Sequence, residues 1–171
     1  MNAEELRTLQ APFKAKYRED PASARILSRA SGSLLHDRPA CRIESTFGST
    51  TVGLHPAAGG DGSDKCSIDM LLEALIGCAG LTFNLVATAM SIPFKSVKVI
   101  AEADGDIRGA LGVAKEVPVG MTQMRLRFEV DSPATDEQIA LLIKQTERYC
   151  VVFQSLRTPP PVDISVQRIS T

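Results

Sequence analysis

The chain has 171 residues, enough for one domain or for a protomer whose core a partner completes. Apolar residues make up 44% and charged residues 23%, and the formal net charge is −1. That balance excludes bulk attraction to nucleic acid or an anionic membrane, and no basic cluster with interleaved aromatics occurs. The N-terminal Met-Asn-Ala-Glu-Glu lacks the basic and apolar regions of a signal peptide, so a cytoplasmic location is expected, with all four cysteines resting as thiols.

Residues 1–10 predict a short helical extension ahead of a single domain that takes in the rest of the chain. Phe13, Ala15 and Tyr17 alternate with Lys14, Lys16 and Arg18, which predicts a half-buried strand ended by Asp20-Pro21. Further strands are predicted at Ile26–Ala30 and Cys41–Phe47, on either side of a polar stretch. The Gly-rich run His55–Ser63 lacks the Gly-Lys-Ser/Thr ending of a phosphate loop and predicts a plain connection.

A long central helix is predicted from Ser67, a good N-cap, to about Met90, where Ser91-Ile92-Pro93 stops it. Its apolar stretch is long enough for a membrane span, but Asp69, Glu73, Thr82, Asn84 and Thr88 interrupt it. A buried helix, apolar on all sides and partly covered by a second subunit, fits better. Val97, Val99, Ala101 and Ala103 alternate with charged neighbours and predict a strand; Asp104-Gly105-Asp106 turns the chain, and Ile107–Val113 would continue a hairpin. Met124, Leu126, Phe128 and Val130 give the clearest strand. Thr135 to Gln138 is a capping box opening a helix that carries Ile139, Leu142, Ile143, Cys150, Phe153 and Leu156 on one stripe. Pro159-Pro160-Pro161 ends it, and Val162, Ile164 and Val166 predict a last strand. Strands grouped rather than alternating with helices argue for an α+β fold with antiparallel sheets.

Cys78 and Cys150 each lie inside these apolar helical patterns. A thiol on a helix core face is ordinarily inert packing. Two thiols that met across a core could instead reduce peroxide: a thiolate attacks the O–O bond and becomes a sulfenic acid, which the second thiol condenses into a disulfide. Burial disfavours the thiolate, so a nearby cation must offset it; Cys78 is too far into its own helix for that helix's dipole to help, which leaves an arginine from elsewhere. Cys41 and Cys66 form no C-x-x-C and no zinc-ligand spacing with His36 or His55, both predicted to lie in loops.

Two segments, Ser67-Ile-Asp-Met-Leu-Leu-Glu-Ala-Leu-Ile-Gly-Cys78-Ala and Glu147-Arg-Tyr-Cys150-Val-Val, resemble the two cysteine motifs of the OsmC/Ohr family of organic-hydroperoxide-reducing proteins. Asp104–Gly109 is similar to that family's central strand region. The resemblance implies an intertwined α+β homodimer, with antiparallel sheets around two long central helices and active sites at the interface. It implies Cys78 as the peroxidatic thiol and Cys150 as the resolving thiol, with Arg18 and Asp69 as the best matches for the activating pair. Arg25, Arg29 and Arg42 are the alternative cations. It further implies no cofactor, an organic hydroperoxide substrate bound among apolar walls that include Phe83, Tyr149 and Phe153, and an external dithiol reductant such as a lipoylated protein. Val151 departs from the pattern, since many relatives carry proline there, and Asp69 replaces a commoner glutamate. A non-catalytic, dimeric ligand-binding or stress protein on the same fold is the alternative function.

Overall fold

In the computed structural model, which describes residues 1–169, the protein is a mixed structure of helices and two antiparallel sheets. Helix α1 spans Ala3–Glu19. Strands β1 (Ser31–Leu34), β2 (Cys41–Ser45) and β3 (Gly48–Val52) form one sheet in the order β1-β2-β3. Helix α2 (Ser67–Met90) leads to β4 (Ser96–Asp104), the short α3 (Ile107–Ala110) and β5 (Gln123–Asp131). Helices α4 (Asp136–Tyr149) and α5 (Val151–Arg157) follow.

The N-terminal segment departs from the sequence expectation. Phe13–Tyr17 is helical, because Asn2 caps a continuous α1 through a full capping box with Glu5, and Pro12 lies inside the helix without ending it. The alternation that suggests a strand also fits a helical stripe, since Leu9, Phe13 and Tyr17 are spaced four apart and the two rings meet at 6.3 Å. Leu6 is the residue of α1 that is fully buried, and α1 packs on α2. No strand forms at Ile26–Ala30; the first one starts at Ser31, and β3 adds a strand with little hydrophobic contrast.

The Gly-rich run is indeed structural. Gly59 adopts a left-handed φ of +93° after the turn Pro56–Ala58, and a Cβ on Gly60 would lie 1.9 Å from the Leu54 carbonyl oxygen. The end of β3 is tied to the start of α2 by a parallel bridge between Val52 and Lys65. An Arg38–Asp64 ion pair and a Lys65–Glu73 contact of 2.8 Å reinforce that junction.

Helix α2 begins at Ser67 as expected, although Cys66 rather than Ser67 is its N-cap. It ends in a left-handed Ser91 (φ 55°), with Ile92 N–H donating to the Ala87 carbonyl at 2.9 Å, a Schellman-type finish before Pro93. Its core side carries Phe83 and Ala87, which pack with Ile92 and Leu142 against Phe94, Phe128, Val97 and Val130. The β4–β5 pairing runs from Ser96↔Asp131 to Asp104↔Gln123 and turns one apolar face onto this core. Between these strands Ile107–Ala110 is helical rather than extended, because the Asp106 carboxylate accepts from Arg108 N–H at 3.0 Å and caps the turn.

Much apolar surface remains uncovered. The accessible surface is 13209 Å², whereas a compact monomer of this mass exposes about 8,000 Å². Helix α2 is long and apolar enough to cross a membrane, yet only 22% of its most apolar stretch is buried. Leu81 and Leu85 face outward from it, and Leu34 and Phe47 stand out from the first sheet. The expected last strand at Val162–Val166 is not formed; its side chains are exposed and no strand edge pairs with them.

Candidate active site

The amphipathic C-terminal helix expected through Cys150 is two helices. At Cys150 the backbone turns out of the helical region (φ −72°, ψ 108°), making this residue both the C-cap of α4 and the N-cap of α5. Its N–H closes α4 on the Thr146 carbonyl at 2.9 Å, and its carbonyl opens α5 by accepting from Gln154 N–H at 2.9 Å. Val151 and Val152 are the first two residues of α5, so their N–H groups have no acceptor within that helix.

Both α4 and α5 pack on α2, and the break faces Cys78. Burial pushes the Cys78 thiol up, but donors around the sulfur outweigh it and hold it below its ordinary value: the Val152 amide, the Cys150 thiol, the Val151 amide and the Thr82 hydroxyl. The Thr82 hydroxyl also donates to the Cys78 carbonyl at 2.7 Å; with one proton it serves one acceptor at a time. Cys150 moves the opposite way. Burial raises it, with the Phe153 amide pulling down and the neighbouring Cys78 sulfur pushing up further. Cys150 is 1% exposed and Cys78 half-buried, and both are free thiols. One sulfur is therefore prepared to carry charge and its neighbour to keep its proton.

The other expected site residues are dispersed. Arg18 lies in the last turn of α1, not after a strand, and Asp69 in the first turn of α2. Among the described residues of the protomer, neither is among the leading groups that move the Cys78 thiol, nor is an arginine. Phe83 is enclosed in the core, stacked on Phe128 at 5.4 Å and edge-on to Phe94 at 5.8 Å, so it does not wall a cleft. Tyr149 is exposed, with the Arg148 guanidinium 5.4 Å from its ring centre. Phe153 does line a cleft of about 340 Å³, together with Leu75, Met124, Leu126 and Leu156, with Arg125 and Arg157 also bordering it. Neither thiol lines this cleft, but Leu75 precedes Cys78 by about one helical turn and Phe153 follows Cys150 by three residues.

The residues missed by sequence reasoning are the two amide donors, which have no side-chain signature. Thr82 was detectable, since it stands four residues after Cys78 on the same helix face.

Residues 60–165, well over half of the chain, match the family model described as OsmC-like protein. The chain belongs to the OsmC-like family. Solved structures of this fold agree. An OsmC-like protein from Mycoplasma pneumoniae superposes with a TM-score of 0.65 at 19% identity, covering 78% of this chain and 89% of its own. A Legionella pneumophila protein described as an organic hydroperoxide resistance protein gives 0.58 at 13% identity, over 78% and 93% of the two chains. An Elizabethkingia anophelis protein with a similar description gives 0.57 at 18% identity, over 79% and 92%. No curated protein matches by sequence. At these identities the neighbours establish the OsmC-like fold, while the chemistry has to be argued from the thiols themselves.

Proposed function

We propose that the protein is a thiol-dependent peroxidase that reduces organic hydroperoxides, with Cys78 attacking and Cys150 resolving. The observation that carries this is the juxtaposition of the Cys78 thiol on α2 with the Cys150 thiol at the α4–α5 break, their acidities pushed apart. The Cys78 thiolate attacks the distal peroxide oxygen; the O–O bond breaks, the alkoxide takes a proton and leaves as alcohol, and Cys78 becomes a sulfenic acid. Cys150, losing its proton to the departing oxygen or to water, then attacks the Cys78 sulfur. Hydroxide leaves and is protonated to water, and a Cys78–Cys150 disulfide remains. The peroxide has taken two electrons from two thiols, and an external dithiol returns them by exchange.

The apolar cleft beside Leu75 and Phe153 supports an alkyl-bearing substrate over hydrogen peroxide. Two fold neighbours described as organic hydroperoxide resistance proteins point the same way. A homodimer completes the proposal: the protomer exceeds a compact chain by roughly 5,000 Å², about 10,000 Å² over a pair, which is ample for an obligate interface that buries about 2,000–5,000 Å² over both partners. The outward Leu81 and Leu85 of α2 would lie within that interface.

The test is a thiol count after one equivalent of cumene hydroperoxide. Two of the four thiols should disappear and return with dithiothreitol, and Cys78→Ser should lose none. If the parent chain keeps all its thiols, the protein is instead a non-catalytic member of the fold.

A further inference from the structure

We propose that Gln154 is a positioning residue, holding the α4–α5 break open so that the Val151 amide stays on the Cys78 sulfur. The proposal rests on Cys78 being the attacking thiol. In an unbroken helix the Val151 N–H would donate to the Glu147 carbonyl. The turn at Cys150 removes that rung and leaves the carbonyl without its backbone partner. The Gln154 side chain supplies a replacement, its Nε2 donating to the Glu147 oxygen at 2.6 Å. Its own backbone N–H, on the Cys150 carbonyl at 2.9 Å, is the first rung of α5. One residue thus ties both helix ends across the break.

The alternative state is a straighter chain in which Glu147 takes back the Val151 N–H. That rung would withdraw a donor from the Cys78 sulfur. Occupying the Glu147 carbonyl from the α5 side removes most of the gain from straightening, because the carbonyl is already satisfied. Gln154 touches neither sulfur nor substrate in this role and acts through the backbone. Among the described residues the titratable group prominent in the Cys78 shift is Cys150; Asp69 and Glu73 of α2, Glu147 and Arg148 of α4, and Arg157 of α5 are the charged groups on the helices packed together there, and none is among the leading causes.

The experiment follows carbamidomethylation of the Cys78 peptide by mass spectrometry across pH, using the full chain. Gln154→Met removes the donor while keeping length. It should slow the reaction at pH 6.5 by about three- to tenfold and leave the high-pH plateau unchanged, the effect of losing part of one hydrogen bond to a thiolate. Gln154→His, whose Nε2 lies the same number of bonds from the backbone, should restore the rate to within about twofold. Because Gln154 is half-buried outside the core, both variants should unfold in urea as cooperatively as the parent. In a Val151→Pro background the amide is already absent, and Gln154→Met should add little. The proposal is overturned if the Gln154→Met profile superimposes on the parent's, if Gln154→His is as slow as Gln154→Met, or if the Val151→Pro background shows the full slowing again. Alkylation needs no peroxide chemistry, so this outcome is independent of the thiol count that tests the peroxidase itself.

Discussion

Replacing Val151 by proline deletes one hydrogen-bond donor and little else. Val151 is the first residue of α5, where proline's fixed φ suits the helix and its missing N–H is not needed by the helix. The preceding Cys150 already has an extended backbone (φ −72°, ψ 108°), close to what proline demands of its neighbour. The N–H that vanishes is one of the two amides holding the Cys78 thiol below its ordinary value. A hydrogen bond to a charged group is worth about 1.5–3 kcal/mol. Cys78 is only half-buried, so water would replace part of the loss, leaving about 1–1.5 kcal/mol. At about 1.4 kcal/mol per tenfold change in an equilibrium, the thiolate population below the midpoint should fall by about tenfold, and the Cys78 midpoint should rise. The sign follows from the chemistry: the lost donor stabilises the anion, so the thiolate forms at higher pH. Below the midpoint the alkylation rate of Cys78 should fall about tenfold, and at high pH the variant and parent should converge. An unchanged or lowered midpoint in a variant that still unfolds cooperatively would refute the Val151 amide as a group that lowers the Cys78 thiol.

Cys150→Ser should separate the two chemical steps. One equivalent of cumene hydroperoxide should then consume one thiol instead of two and leave a dimedone-reactive sulfenic acid on Cys78; a disulfide from Cys78 to Cys41 or Cys66 would remove Cys150 from its resolving role. Phe83→Ala should cost about 3–5 kcal/mol in urea unfolding, because the ring is 1% exposed and wedged between Phe94 and Phe128. A loss below 1 kcal/mol would mean that the core of α2 lies elsewhere.

Features that depend on neighbours in the chain were legible in the amino acids themselves. The span of α2, the alternation of β4 and β5, and the Thr135–Gln138 box come from local periodicity and capping, which act over a few residues. The N-terminal segment was misjudged because Phe13 and Tyr17 satisfy both a two-residue and a four-residue spacing; the Asn2 cap and the packing of α1 on α2 decide between them. Val162–Val166 alternates as a strand does, but a strand exists only when an edge accepts its hydrogen bonds, and among the described residues of this protomer none does.

The two cysteines were readable from sequence, and a family resemblance supplied the unequal roles proposed for them. What activates Cys78 was not readable. A search for a cation selects Arg18, which the fold places at the end of α1. Within the protomer the groups that lower the Cys78 thiol are main-chain amides, freed where an apparently continuous helix breaks between Tyr149 and Val151. Every residue but proline has such an amide, so its availability is a property of backbone conformation and of what packs against it. Only the tertiary structure, by setting α2 against that break, turns two ordinary valines into donors for a thiolate.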